Sequence, residues 1–117
     1  MDTLSAIAEP NRRKIVQLLA RRGNLSASEI ARHFDSSAPA ISQHLQVLKQ
    51  ARTVSVTRQA QKRIYSLNPE PLRELSAWLF DLTSQWENRL DKLESLLSKE
   101  KNKLSDPHKS QSRKGKQ

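Results

Sequence analysis

The sequence predicts a mainly α-helical fold with one small β-hairpin and a long helix towards its C-terminal end. Three observations predict it. Apolar residues recur at helical spacing in the first 50 residues, and between residues 53 and 67 the spacing changes to the alternation of strands. From residue 70 to residue 97, leucine or tryptophan returns every three or four residues. The chain has 117 residues, which is the size of one domain of about 100 to 150 residues.

The first two helices are separated by Pro10. Leu4 and Ile7 indicate a short helix that ends before Pro10, because the residue before a proline is disfavoured in helical conformation. Pro10 suits the first turn of the second helix, and Gly23 suits the position after its end. The apolar stripe of the second helix consists of Ile15, Leu18 and Leu19.

Two further helices are joined by a three-residue turn. Ser26 and Glu29 have the spacing of a capping box, which predicts a third helix that runs through Phe34. Residues 35–37 form the turn, and Ser37 is the expected N-cap of the fourth helix. The apolar stripe of the fourth helix consists of Ile41, Leu45 and Leu48. This arrangement is typical of a helix-turn-helix unit, with an ordinary helical hairpin as the alternative.

A β-hairpin follows, with strands predicted at 53–58 and 63–67. The link between them contains no Gly, Asn or Asp, the residues that favour a tight two-residue turn. We therefore expect a longer, mobile loop. A basic hairpin directly after a helix-turn-helix unit predicts a winged helix-turn-helix domain. Asn68 and Pro69 end the second strand and cap the last helix.

The last helix is predicted from about residue 70 to about residue 101, a length of roughly 45 Å at about 1.5 Å per residue. Its stripe consists of Leu72, Leu75, Leu79, Leu82, Trp86, Leu90, Leu93 and Leu97. Beyond Leu82 no other element of the chain is left to cover this stripe, which favours homodimerisation. The predicted organisation is a winged helix-turn-helix domain at 1–69, a dimerisation helix at 70–101 and a basic, disordered tail at 102–117. The tail is either a solubility tail or a phosphate-binding arm.

The positive charge is concentrated in two parts of the chain. The formal net charge is +9. Residues 36–69 contain five basic residues and no acidic residue, and residues 98–117 contribute another +5, whereas residues 70–97 carry −3. A foldable stretch without carboxylates is typical of a surface that contacts a polyanion, and double-stranded DNA is the predicted partner.

The candidate DNA-reading residues lie at the start and on the polar face of the fourth helix. They are Ser37, Ala38, Pro39, Ala40, Ser42, Gln43, His44 and Gln46. The amides of Gln43 and Gln46 carry the donor and acceptor that adenine recognition uses. The candidate wing residues are Arg58, Gln59, Gln61, Lys62 and Arg63. Cations of the wing are expected to meet phosphates, which sets affinity rather than sequence choice.

No metal, cofactor or catalytic site is predicted. The chain has no cysteine, which excludes thiolate metal sites and thiol nucleophiles. His33, His44 and His108 lie in three separate segments without ligand spacing. No phosphate-binding loop or cofactor motif is present. The chain also has no apolar run of about 18 residues and no leader segment, so we expect no membrane insertion and a cytoplasmic location.

Four segments together resemble the ArsR-type winged-helix transcriptional repressors. They are AEPNRRKIVQLL at 8–19, SEIA at 28–31, SAPAISQHLQVL at 37–48 and RIYSLN at 63–68. The resemblance covers residues 4 to about 97. The segment WENRLDKLE at 86–94 is similar to a branch that does not sense metals, some members of which are autorepressors.

This resemblance implies a homodimer whose first and last helices pair the subunits. The implied interface residues are Leu4, Ile7, Leu79, Leu82, Trp86, Leu90, Leu93 and Leu97. It also implies that the two fourth helices enter successive major grooves of a near-palindromic operator. An unidentified effector or a partner protein that controls binding remains an open alternative.

Two positions depart from the family pattern. The family commonly has Gly after the fourth helix, where this chain has Ala51 and Arg52. A left-handed Arg would cost about 1 to 2 kcal/mol, which argues for a different junction. The wing tip also lacks the usual Gly.

A rival function is a coiled-coil dimeric adaptor with a basic surface, which binds a protein or an anionic membrane and for which the fourth helix is dispensable.

Overall fold

In a computed structural model of the chain, the described residues are 1–104, with side chains as far as Asn102. Within them the elements are α1 Thr3–Ala8, α2 Pro10–Arg22, β1 Leu25–Ser26, α3 Ala27–Ala31, α4 Ala38–Gln50, β2 Val54–Gln59, β3 Lys62–Leu67 and α5 Pro69–Leu104. The mainly helical fold with a small antiparallel sheet and a long last helix is confirmed. The structure divides into two units, Met1–Ala77 and the chain from Trp78 onwards.

Local capping signals define the helix starts as the sequence predicts. The backbone N–H of Ser26 donates to Glu29 Oε1 at 2.8 Å, and the N–H of Glu29 donates to Ser26 Oγ at 3.2 Å, which is a complete capping box. The hydrogen bond from the Ser26 backbone lowers the pKa of Glu29. Ser37 caps α4 by accepting the N–H of Ala40 at 3.3 Å. These caps satisfy backbone donors that a helix leaves unpaired at its start.

Helix α3 is shorter than predicted. It ends at Ala31, not at Phe34. The reason is that the N–H groups of His33 and Phe34 donate to the carbonyls three residues back, Ile30 and Ala31. The chain therefore continues as tight turns into the loop before α4.

The first unit has one core beneath a three-stranded antiparallel sheet of order β1-β3-β2. Strand β1 is not predicted by the sequence; Leu25 lies opposite Tyr65, and Ser26 lies opposite Ile64. The buried apolar residues are Ala6, Ile15, Leu18, Leu19, Leu25, Ile30, Ile41, Leu45, Leu48, Ala51, Val54 and Tyr65. Helices α1, α2, α3 and α4 and the sheet all contribute to this core.

The wing closes with a two-residue turn, so the expected longer loop is wrong. Gln59 pairs with Lys62, and only Ala60 and Gln61 lie between them. Ala60 takes the positive φ of 57° that such turns require at their first central position. The reason is that pairing continues through all six residues of β2 and leaves no length for a wider loop.

The junction after α4 keeps the left-handed geometry, so the expectation of a different junction is wrong. Arg52 has φ 65°. The N–H of Thr53 donates to the carbonyl of Leu48 and the N–H of Arg52 donates to that of Lys49, each at 3.0 Å. This is a Schellman pattern. The buried Thr53 also donates its hydroxyl to the Leu48 carbonyl at 3.0 Å, which holds the strained residue in place.

Replacing Arg52 by glycine should stabilise the first unit. Glycine removes the left-handed strain of about 1 to 2 kcal/mol. It also loses more conformational entropy on folding than arginine does, which costs about 0.5 to 1 kcal/mol. We expect the free energy of unfolding of Arg52→Gly to rise by about 0.5 to 1 kcal/mol in urea titrations. Arg52→Ala is the control, since it removes the charge and keeps Cβ. Equal stabilisation by both variants would attribute the effect to charge and contradict the strain argument.

Helix α5 begins one residue before and ends three residues after the predicted range. Its first turns belong to the first unit, where Pro71 is buried and Leu72 and Leu75 are half-buried. Residues 102–104, which the sequence assigned to the tail, are helical; the rest of that tail lies outside the described residues. In the described part of the chain, no helix has the length and apolar character needed to cross a membrane.

Candidate nucleic-acid interface

The rotation of α4 is set by its buried stripe. Ile41, Leu45 and Leu48 are each at most 1% exposed, so the helix has one face in the core. The eight candidate DNA-reading residues lie outside this stripe, and most of them therefore face solvent. Six of the eight are exposed: Ser37, Ala38, Pro39, Ser42, Gln43 and Gln46. Their side chains are short or carry amides, and a helix with such a surface can approach base edges in a major groove.

The other two candidates on α4, Ala40 and His44, are partly enclosed. The His44 side chain is 19% exposed, and its Nδ1 lies 3.9 Å from Glu9 Oε1. Burial raises the pKa of Glu9, but the hydrogen bond from the Arg12 backbone and the nearby His44 lower it, with a net lowering. The structure thus places His44 at the contact of α4 with the N-cap of α2, apart from the exposed candidates.

The cations of the wing lie on two faces of the hairpin. Arg58 and Arg63 are directly opposite each other, and they continue the face that packs on the core through Val56 and Tyr65. Lys62 lies opposite Gln59 on the other face. Side chains alternate between faces along a strand, so the hairpin presents positive charge on both sides of its tip.

The pairing of Arg58 with Arg63 is electrostatically unfavourable in the isolated protein. Directly opposite residues have Cβ atoms about 4.5 to 5.5 Å apart, and like charges there are destabilising. In the described part of the chain, neither arginine forms an ion pair with a carboxylate. An anion between the two guanidinium groups would relieve this repulsion. The hairpin is therefore suited to a phosphate group of a partner.

Asn68 is a positioning residue that sequence reasoning missed. Its Nδ2 donates to the carbonyl of Arg52 at 2.8 Å, and its N–H donates to the carbonyl of Thr53 at 2.8 Å. These bonds join the end of β3 to the segment between α4 and β2. They hold the base of the wing against the end of α4. The sequence predicted only that Asn68 and Pro69 end the strand and cap the last helix.

Exposed apolar side chains dominate one face of α5 in the second unit. The predicted interface residues Leu79, Leu82, Trp86, Leu90, Leu93 and Leu97 are 43% to 60% exposed. Trp78, Phe80 and Leu96 are also exposed and were not among the candidates. In the first unit, Leu4 is exposed and Ile7 is half-buried. An apolar surface of this extent is typical of a protein–protein interface.

The described residues contain no group of three His, Asp or Glu side chains that could hold a metal ion.

The arrangement of α3, α4 and the hairpin, with basic and amide side chains turned outwards, is that of a protein that reads DNA.

Comparisons with known proteins agree with this geometry. Residues 9–56 match the family described as "Bacterial regulatory protein, arsR family". The transcriptional repressor SdpR of Bacillus subtilis is 40% identical over 89 residues, which cover 76% of this chain and 98% of SdpR. The HTH-type transcriptional regulator Rv2034 of Mycobacterium tuberculosis is 40% identical over 95 residues, which cover 81% of this chain and 85% of Rv2034.

A solved structure extends the likeness to the fold. The crystal structure of a "Possible transcriptional regulator for arsenical resistance" is 43% identical and has a TM-score of 0.65, covering 81% of this chain and 95% of that chain. Because the helix-turn-helix region matches the family and the likeness to SdpR covers most of both chains, this chain belongs to the arsR family of bacterial regulatory proteins and is a DNA-binding transcriptional regulator.

Proposed function

We propose that this regulator is a homodimeric repressor that binds a near-palindromic operator in double-stranded DNA, with the promoter of its own gene as the first candidate. The observation that carries the proposal is the exposed, carboxylate-free face of α4 beside a basic wing. We assign DNA binding to residues 1–69 and dimerisation to the helix at 70–101. This role places the protein with the DNA, in the cytoplasm.

In this proposal α4 reads bases and the wing binds the backbone. Gln43 and Gln46 are exposed on α4, and a glutamine amide can make two hydrogen bonds to adenine N6 and N7. Arg58 and Arg63 form the cross-strand pair of like charges, which a phosphate would neutralise. Sequence choice thus comes from α4, and most of the salt-dependent affinity comes from the wing.

The homodimer is supported by the apolar stripe of α5. A second copy of the chain carries the same stripe, and two such stripes can bury each other with twofold symmetry. The exposed Trp86 and its leucine neighbours are suited to this packing. A dimer carries two recognition helices, and successive major grooves on one side of the duplex are about 34 Å apart. A twofold-symmetric protein therefore prefers a near-palindromic operator.

Repression is supported by the relatives. SdpR is named a transcriptional repressor, and nearly its whole length aligns with this chain. A dimer on a promoter excludes other proteins from the same DNA. No effector is part of the proposal.

The test is a titration of the purified chain against the DNA upstream of its own gene, beside a scrambled duplex of equal length, at near-physiological salt. We expect a preference of about a thousandfold or more for the upstream DNA. Weak binding to both duplexes that vanishes as salt rises would reveal electrostatic attraction alone. That outcome would contradict self-regulation, and if repeated on other promoters it would favour the adaptor.

A further inference from the structure

Glu9 lies where α1, α2 and α4 meet. It follows the last residue of α1 and is the N-cap of α2, where its Oε1 accepts the N–H of Arg12 at 2.9 Å. The same oxygen lies 3.9 Å from Nδ1 of His44 in α4. Both side chains are partly shielded from water, so salt screens their interaction less than it would at an exposed site. One carboxylate oxygen thus joins the start of α2 to the middle of α4.

The end of α1 is fixed close to Glu9 by two arginines of α2. Nε of Arg12 donates to the carbonyl of Ala6 at 2.7 Å, and the guanidinium of Arg13 donates to the carbonyl of Ile7 at 2.9 Å. The last carbonyls of a helix have no partner within the helix, and cations near them are favourable. Helix α1 and Glu9 are therefore held together with the start of α2.

Helix α1 also carries two of the residues that the family resemblance implies for the dimer interface, Leu4 and Ile7. Leu4 is 48% exposed and is thus open to a second copy of the chain. On another side of the helix, Ala6 is buried in the core, and α1 packs against α4. The contact of Glu9 with His44 therefore relates the helix that carries the DNA-reading residues to a helix of the implied dimer interface.

The contact adds a constraint that the core does not supply. The apolar stripe of α4 sets which face of the helix is buried, but the hydrophobic effect is non-directional. The attraction between two charges depends on the distance between two particular atoms. Within the described residues, the pair of Glu9 and His44 is the one ion pair between α4 and another part of the chain. It therefore favours one tilt of α4 among those that the core allows.

We propose that Glu9 and His44 are positioning residues for operator recognition, whose contact holds α4 at the tilt that lets both recognition helices of a dimer fit the operator together. The inference rests on the proposed function and adds to it the residues that relate α1 to α4. In this role His44 acts through Glu9 and does not contact a base. The contact matters most when two half-sites are bound together, because a single α4 can adjust to one half-site alone.

The first test is Glu9→Asp in the full chain. Aspartate keeps the charge and is a preferred N-cap, so the start of α2 should be retained, but the shorter side chain no longer reaches His44. We expect this variant to weaken binding to the DNA upstream of its own gene about tenfold and binding to one half-site less than about twofold. Glu74→Asp is the matched control and should bind as the wild type does. Glu74 is exposed on α5 and has no ion pair in the described residues.

Glu9→Gln, His44→Gln and the double variant form a cycle that tests the pair itself. Glu9→Gln keeps an acceptor oxygen for the N–H of Arg12 and removes a negative charge. Long-range attraction to DNA alone would then tighten binding, whereas loss of the contact should weaken binding to the full operator about tenfold. His44→Gln should give a similar loss. The double variant should lose no more than either single variant, because all three lack the same contact.

The coupling energy from this cycle should be larger at about pH 6 than at about pH 8, because imidazole is charged at the lower pH. Glu9 stays ionised at both, since the hydrogen bond from the Arg12 backbone outweighs burial and lowers its pKa. Helices α1, α2 and α3 and strand β2 pack against α4. Their cations are Arg12, Arg13, Lys14, Arg21, Arg22, Arg32 and Arg58. The other carboxylates there, Asp2 and Glu29, each accept a backbone N–H at the start of their own helix, which leaves Glu9 as the partner of a charged His44.

The outcomes separate this inference from the proposed function. Weak, salt-sensitive binding of the wild type to this and other promoters would contradict the proposed function and the inference with it. Operator-specific binding by the wild type, together with undiminished affinity of Glu9→Asp, would overturn the inference alone. Equal losses of His44→Gln on full and half operators, with wild-type affinity of Glu9→Gln, would show that His44 contacts DNA directly and would also overturn it. Thermal unfolding checks that each variant is folded under the binding conditions.

Discussion

The double variant Trp86→Lys/Leu93→Lys should sediment with the mass of one chain, where the wild type sediments with the mass of two. Both side chains lie on the exposed apolar stripe of α5, at 59% and 51% exposure. Pairing two stripes would bring the four introduced lysines of a dimer into one interface. Buried unpaired charges are strongly unfavourable, so the association should be lost.

Loss of the dimer should weaken operator binding by about a hundredfold or more, because the second half-site is then bound independently of the first. Binding to a single half-site should remain nearly unchanged, since residues 1–69 are untouched. Analytical ultracentrifugation and titrations of full and half operators measure these two quantities. Circular dichroism checks that α5 stays helical.

Phe80→Lys is the matched control. Phe80 is also an exposed aromatic residue of α5, at 70%, but it follows Leu79 by one residue and is rotated by about 100° from it. This variant adds one lysine per chain, half the charge that the double variant adds, away from the centre of the stripe, and we expect it to remain dimeric. A dimeric Trp86→Lys/Leu93→Lys variant, or dissociation by Phe80→Lys alone, would place the interface elsewhere.

Signals within a few residues of sequence predicted most of the fold. Pro10 and Gly23 mark the bounds of α2, and the capping box of Ser26 and Glu29 marks the start of α3. Each of these signals acts through hydrogen bonds or steric limits inside one turn of helix. Such interactions are the same in any tertiary context, which is why they could be recognised without the structure.

Features that depend on distant partners could not be predicted. Strand β1 has two residues and exists because Leu25 can pair with Tyr65. Ala60 and Arg52 take positive φ values because the ladder and the buried Thr53 hold their neighbours. In each case the tertiary context outweighs the local preference of the residue.

The candidate nucleic-acid interface also has a part that the sequence predicted and a part that it could not predict. Helical periodicity predicted the exposure of Gln43 and Gln46 on α4. It could not predict that His44 lies beside Glu9, because Glu9 is the N-cap of α2 and meets a residue of α4 only when the two helices pack.

Gln43→Ala and Arg58→Ala should weaken DNA binding in two different ways. Gln43 is exposed on α4, and loss of a bidentate amide contact should cost about 1 to 3 kcal/mol at one base pair of each half-site. The variant should then accept other bases at that position. Its salt dependence should match that of the wild type, because no charge is removed.

Arg58→Ala should weaken binding to all sequences alike and reduce the slope of log K against log salt by about one unit. The folding of the wing should not suffer, because removing Arg58 relieves its repulsion with Arg63 on the opposite strand. A variant that keeps or gains stability while it loses affinity for DNA indicates a charge retained for binding rather than for folding.

The two variants are compared on the wild-type operator, on operators with one changed base pair and on random DNA, each at several salt concentrations. Gln43→Ala should lose affinity for the wild-type operator but little for random DNA, whereas Arg58→Ala should lose affinity for both. Equal losses on operator and random DNA for both variants would refute the division into base reading by α4 and phosphate binding by the wing. Wild-type affinity of the double variant Gln43→Ala/Gln46→Ala for the operator would show that the exposed face of α4 is dispensable for DNA binding, as the adaptor function requires.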